Sequence, residues 1–223
     1  DRFKAAVPVY GCGFLHEGES VQKPSIDKLG ERAAHWVKEY DPGSLLPRCH
    51  VPIFFVNGTN DIHYVLDSYI KSYNVVPGEK HMRIQVKMPH GHPPGWAPQE
   101  IGLFIDSKCK KGTPVVGSKN GLITTQPLAV VGKPVVKGDA VEVSCSIENG
   151  QIKKAQLNYT TDSGLRSKRE WKTVPANIAA NSFNGGVSFS ESYTITAPKP
   201  PADANTWFIS VTAAVNSPAS ASK

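Results

Sequence analysis

Asp61 and His90 are the residues of this chain whose types and settings point most directly to chemistry. Val51-Pro-Ile-Phe-Phe-Val-Asn-Gly-Thr-Asn-Asp61 reads as a short apolar strand closing on a glycine and an acid, and Met82-Arg-Ile-Gln-Val-Lys-Met-Pro-His90-Gly-His92 as a second strand closing on histidines. A carboxylate beside an imidazole fixes the ring's tautomer and stabilises the cation that forms when the ring takes a proton. A strand ending in Asp, a helix, then a strand ending in His delivers the acid and the base of a Ser…Asp…His triad in that chain order. The nucleophile of such a site sits earlier, on a Gly-x-Ser-x-Gly turn. No such turn occurs in these 223 residues.

Each of these residues has a plainer reading beside the chemical one. Asp61 precedes a helical stretch, where Asn-Asp is ordinary N-capping chemistry. His90 comes first after its strand and is the favoured base; His92 is the second candidate, and the other of the two is a solvated loop histidine. A His-x-His pair on an extended segment faces one way, and with His63 and Asp61 nearby such a set suits zinc or iron. No third ligand is coded at metal spacing, so neither metal nor other cofactor is expected. Tyr10-Gly11-Cys12-Gly13 lacks the glycine two residues before the thiol that a nucleophile elbow needs, so Cys12 reads as a buried thiol or disulfide partner rather than a substitute nucleophile. Trp96, walling a cleft with Pro93-Pro94, and Cys12 are the residues assigned to substrate contact.

Around these residues two textures meet near 112–127. Before them, apolar runs alternate with helical patterns. Ala5 to Tyr10 is a short strand, distorted or at an edge because Pro8 cannot donate to a ladder. Ile26 to Tyr40 carries a helical pattern stopped by Asp41-Pro42-Gly43. Leu66, Tyr69, Ile70 and Tyr73 make one stripe of a helix over 65–75, and a last helix starts near Pro98. The β–α–β–α–β–α order implies about three parallel strands with flanking helices.

After residue 112 the texture is all-β. Runs at 127–131, 140–147, 152–160, 171–174, 188–196 and 207–213 are rich in Val, Thr and aromatics and are punctuated by Asn149-Gly150, Asp162-Ser-Gly164 and Asn184-Gly-Gly186. Such spacing suggests an immunoglobulin-like β-sandwich. The expected fold class is thus α/β plus all-β: residues 1–112 as a partial α/β domain, 113–126 as a linker, 127–216 as the sandwich and 217–223 as a flexible tail.

Three segments carry a resemblance to a known family. Asp1-Arg-Phe-Lys-Ala-Ala-Val-Pro-Val-Tyr-Gly-Cys-Gly-Phe14, Asn57-Gly-Thr-Asn-Asp61 with Leu66-Asp-Ser-Tyr69, and His90-Gly-His92 with Gly95-Trp96 and Glu100-Ile101 resemble the C-terminal half of secreted bacterial α/β-hydrolases. The group is the acetylxylan-esterase-like, dienelactone-hydrolase-like and prolyl-oligopeptidase-like one, and the resemblance covers about residues 1–112. It implies the last three strands of the hydrolase sheet, Asp61 and His90 as acid and base, and a nucleophilic serine placed shortly before Asp1. It further implies a small ester or acetylated-carbohydrate substrate and a secreted or periplasmic location. A sheet built from these strands alone leaves one edge bare, which predicts pairing with an N-terminal half-chain or a homo-oligomer.

Bulk properties exclude other classes. A hydrophobic fraction of 39% and a charged fraction of 20% are those of an ordinary globular protein. The net charge of +6 is spread along the chain, without the basic stripe and interleaved aromatics of a nucleic-acid binder. No apolar run approaches the ~20 residues of a membrane helix. Cys12, Cys49, Cys109 and Cys145 lack C-x-x-C spacing, allow three disulfide pairings and force none. Asn57-Gly-Thr59 and Asn158-Tyr-Thr160 match the glycosylation acceptor, the first where a strand end should be buried. The opening Asp1 suggests a processed, nicked or subcloned product.

Overall fold

The computed structural model describes residues 3–109, 113–114, 122–123, 128–148, 150–181 and 190–215, and mixes helices with mostly antiparallel sheets. The chain forms two compact units, residues 1–101 with 162–170, and residues 102–161 with 171–223. The expected linker at 113–126 and tail at 217–223 fall mostly or wholly outside the described residues.

The first unit runs α1 (Lys23–Asp27), α2 (Ala33–Tyr40), α3 (Pro42–Leu45), β1 (Ile53–Gly58), α4 (Leu66–Val75), β2 (Lys80–Gln85), α5 (His92–Trp96) and the start of α6 (Gln99–Cys109). β1 is buried along its whole length, as an apolar run flanked on both edges should be. β2 pairs with it in parallel, Ile53 opposite Lys80 and Gly58 opposite Gln85. On the other edge the 5–10 segment adds two parallel bridges, Ala6 to Ile53 and Val9 to Val56. The pairing is broken into bridges because Pro8 has no N–H to give. Its carbonyl still accepts from the Val56 N–H at 3.1 Å. In place of three regular parallel strands there are two, and a distorted third.

Two element boundaries differ from expectation for local reasons. The helix expected over 26–40 is interrupted. Gly30 adopts φ +58°, a left-handed backbone that ends α1's run, and a 3-10 turn at Gly30–Arg32 leads into α2. The strand expected over 82–88 runs only from Lys80 to Gln85, because Lys87 turns left-handed at φ 53° and the Met88 N–H returns to the Gln85 carbonyl.

The core of this unit gathers Cys12, Leu15, Ile26, Ile53, Phe55, Tyr69 and Val76. α4 buries two serines beside its apolar residues. Ser72 accepts from the Gly13 N–H at 2.9 Å, and Ser68 donates to the Phe14 carbonyl at 3.1 Å. Buried main-chain groups need such partners, so the serines hold the turn after the 5–10 segment against the helix.

The second unit continues with β3 (Thr113–Pro114), β4 (Leu122–Ile123), β5 (Val130–Val131), β6 (Val135–Lys137), β7 (Ala140–Glu148), β8 (Gly150–Thr160), β9 (Lys172–Pro175), β10 (Asn177–Ala180), β11 (Ser190–Pro198) and β12 (Thr206–Val215). One antiparallel sheet has the order β10-β11-β7-β5, with β6 also on β7; another has the order β12-β8-β9. Alternation sets their inner faces: Val143, Cys145, Ile147, Tyr193 and Ile195 from the first meet Ile152 and Ala155 from the second. Trp171 packs edge-on against Phe208, ring centres 5.5 Å apart. Asn57 and Asn158, the two glycosylation acceptors of the sequence, are both buried.

Candidate active site

The site forms where β1 and β2 end. Past Gly58 the chain enters a polar loop whose buried groups bond to one another. Asn57 donates its amide to the Tyr64 carbonyl at 2.7 Å and accepts from the Gly58 N–H at 2.7 Å. Thr59 accepts from the Lys87 N–H at 3.0 Å, tying this loop to the turn after β2. Gly58 itself is fixed by space: a Cβ there would lie 2.6 Å from the Met88 carbonyl oxygen. The two strand ends therefore approach backbone to backbone, and the residues just beyond them meet.

Asp61 is 2% exposed. Its Oδ1 accepts from the N–H groups of His63 and Tyr64, both at 2.8 Å. Its Oδ2 lies 2.5 Å from Nδ1 of His90. The carboxylate is thus held by an Asx-type turn of its own loop and does not cap α4, whose N-cap is Val65 with no side-chain bond. An ionised carboxylate only accepts, so the proton between them belongs to the ring, and a neutral His90 then presents its Nε2 lone pair as a base.

His90 stays 37% exposed at its side chain while aromatic rings pack around it. The Tyr10 ring centre lies 4.3 Å away, that of His63 4.7 Å and that of Tyr64 6.1 Å, the last nearly parallel at 19°. The arrangement is an imidazole anchored at one nitrogen, flanked by rings, and open to solvent. It can accept a proton from a group brought to it.

Compared with known protein families and with curated proteins, the chain matches none.

The other residues singled out from the sequence take different places. His92 is exposed at the start of α5 and packs on Trp96, ring centres 4.8 Å apart; the structure pairs Asp61 with His90 and not with His92. Trp96 is 70% exposed. Cys12 is not beside an open cleft. It is 5% exposed within the core, and burial pushes its thiol up to about 12, partly offset by a hydrogen bond with Ser72. A buried neutral thiol neither contacts a substrate nor attacks one. All four cysteines are free thiols. Among the described residues no group of three or more His, Cys, Asp and Glu is placed to hold a metal ion, so His63, His90, His92 and Asp61 do not converge as a ligand set.

Two features of the site, and one contact outside it, went unread in the sequence. Tyr10 carries left-handed backbone at φ 65° and lies against His90; nothing in its residue type signals that. Asn60 donates to the main-chain carbonyls of Ser167 at 3.1 Å and Arg169 at 2.8 Å, fastening the 162–170 segment beside the acid loop, and Arg166 there binds the carboxylates of Glu19 and Asp67. A second acid–imidazole contact, His16 Nδ1 to Asp41 Oδ2 at 3.3 Å, also exists. Asp41 is 1% exposed and accepts from the N–H groups of Phe14, Leu15 and Gly43. Its lone pairs are spent on structure, as expected of a residue that caps α3.

Proposed function

We propose that Asp61 and His90 are the acid and base of a serine-type ester hydrolase acting on a small ester or an acetylated carbohydrate. The observation that carries this reading is the 2.5 Å contact between Asp61 Oδ2 and His90 Nδ1, made at the C-terminal ends of neighbouring parallel strands, where open α/β sheets hold their ligands. In this proposal residues 1–112 belong to an α/β-hydrolase sheet and the second unit is an immunoglobulin-like sandwich. A secreted or periplasmic location is part of the same proposal and rests on the motif resemblance.

The chemistry runs through His90 Nε2. It takes the proton of a serine hydroxyl as the oxygen attacks the ester carbonyl carbon. It then gives that proton to the departing alcohol oxygen, leaving an acyl-enzyme that water hydrolyses by the same relay. Asp61 keeps the ring's tautomer and stabilises the imidazolium. The serine belongs to a segment outside these 223 residues, seated against the outer edge of the 5–10 segment, with a half-chain or a second copy of the protein as the partner that edge would take.

A second reading follows from one observation, the absence of Gly-x-Ser-x-Gly from the sequence. In it the fold is a repurposed hydrolase scaffold and the second unit binds a polymer or protein partner. Turnover of p-nitrophenyl acetate separates the two. The hydrolase reading expects this chain alone to match its His90→Ala variant, and expects fusion to the segment encoded upstream to restore turnover that serine-directed phosphonates abolish. Robust turnover by the chain alone, insensitive to phosphonates, overturns it. No turnover in the fused protein favours the repurposed scaffold.

A further inference from the structure

We infer that Tyr10 is a positioning residue for the His90 imidazole, a role that rests on the acid–base reading of the Asp61–His90 pair. Two independent contacts converge on it. Its ring lies against the imidazole, centres 4.3 Å apart and tilted by 32°. Its hydroxyl straddles the histidine: Oη lies 3.0 Å from the Pro89 carbonyl oxygen and 2.9 Å from that of Gly91, and accepts from the Gly91 N–H at 3.3 Å. One side chain thus grips the backbone on both sides of His90 and covers a face of its ring.

The way Tyr10 reaches this position fits a held side chain. Its φ of 65° is left-handed backbone, which is unfavourable for a non-glycine residue and persists only where the surroundings over-determine it. Those surroundings are tight. A Cβ on Gly95 would lie 2.8 Å from the Tyr10 ring and 3.0 Å from its hydroxyl oxygen, so α5 can close over the ring only because residue 95 is glycine. The Gly95 N–H also bonds to the Gly91 carbonyl at 3.0 Å, fixing the same peptide the tyrosine grips. Asp61 holds His90 by one nitrogen only. A ring held at a single atom can still pivot, and Tyr10 supplies the second and third constraints.

The test reads His90 directly, by proton NMR of the chain labelled at histidine. In the wild type the Nδ1 proton resonates at low field and the ring protons are shifted upfield by the Tyr10 ring. Tyr10→Phe keeps the ring contact and loses the hydroxyl. It should retain the upfield shift while the Nδ1 proton exchanges with water about fivefold to tenfold faster, the factor one lost side-chain hydrogen bond carries. Tyr10→Leu should lose both signatures. The His16 ring, held by Asp41 at a separate place, should stay unchanged in each variant and report that the fold is intact. A His90 Nδ1 proton that exchanges at the wild-type rate in Tyr10→Phe overturns the inference, and that variant differs from the wild type by one atom and should fold. A wild-type Nδ1 proton indifferent to Asp61→Asn instead overturns the acid–base pairing, and this inference with it.

Discussion

The hydroxyl of Tyr69 lies 2.8 Å from the carbonyl oxygen of Pro8 and 2.8 Å from that of Val56. Pro8 interrupts the pairing of the 5–10 segment with β1, and Tyr69, fully buried on α4, bonds to main-chain oxygens from both strands at the interruption. Burial pushes its phenol far above the ordinary tyrosine range, so it remains a donor at any pH the protein survives. Tyr69→Phe removes that donor and leaves buried carbonyl oxygens with one partner fewer. We expect a loss of about 1–3 kcal/mol in urea unfolding; an unchanged midpoint would show that the hydroxyl is not what holds the segment.

The buried thiol of Cys12 predicts an alkaline limit to stability. Its folded value of about 12 stands above the ordinary 9.0, so the folded state resists losing a proton that the unfolded chain gives up more readily. The stabilising contribution is whole below about pH 9 and is lost as pH climbs toward 12. Cys12→Ala should therefore show a shallower fall of the unfolding temperature between pH 9 and 11 than the wild type. Equal slopes would contradict the assignment. Under native conditions at neutral pH, a thiol reagent should label exposed Cys109 well before Cys12.

Asp41 predicts a larger loss with no direct chemical role. Replacing it by alanine strands the N–H groups of Phe14, Leu15 and Gly43, which it accepts at 2.8, 3.2 and 2.6 Å. Stranded buried donors cost about 1–3 kcal/mol each, so Asp41→Ala should lower stability by roughly 3 kcal/mol or more. A surface-like change of about 0.5 kcal/mol would mean the loop finds other partners.

Gly58→Ala should disturb the site from beneath. The new methyl would lie 2.6 Å from the Met88 carbonyl oxygen, a backbone atom two residues before His90 with no rotamer to move. A stability loss of about 1–3 kcal/mol, the usual cost of overpacking, is expected together with a changed His90 ring spectrum. A wild-type spectrum would place the turn after β2 as more compliant than its packing suggests.

What the sequence made readable was the strand ends. β1 opens as the apolar run Ile53 to Val56 and closes on Asn57 and Gly58, and Asp61 and His90 follow their strands at short distance, so period and punctuation located both. The same logic failed where conformation rather than composition decides. Gly30 sits inside a helical pattern that tolerates glycine, and only its left-handed backbone reveals the break. Lys87 and Tyr10 turn left-handed although neither type favours it, so the early end of β2 and the ring beneath His90 had no local signal. Ser68 and Ser72 lie outside the apolar stripe of Leu66, Tyr69, Ile70 and Tyr73, yet both are buried. They face inward because the turn at Gly13 and Phe14 needs partners, a tertiary demand. Asp162-Ser-Gly164 does separate strands, lying between β8 and β9, but nothing in its composition signalled that residues 162–170 belong to the first unit and that this segment bonds to Asn60.

The most direct test compares three variants in the chain fused to the upstream segment to which the proposal assigns the nucleophile, using initial rates of p-nitrophenyl acetate hydrolysis. His90→Ala and Asp61→Asn should each lower kcat/KM by about 10³-fold or more, as loss of a base or of the acid that orients it does, while His92→Ala should stay within about twofold. A rate that Asp61→Asn leaves near wild type, or that His92→Ala abolishes, would contradict the assignment of Asp61 and His90 as the working pair.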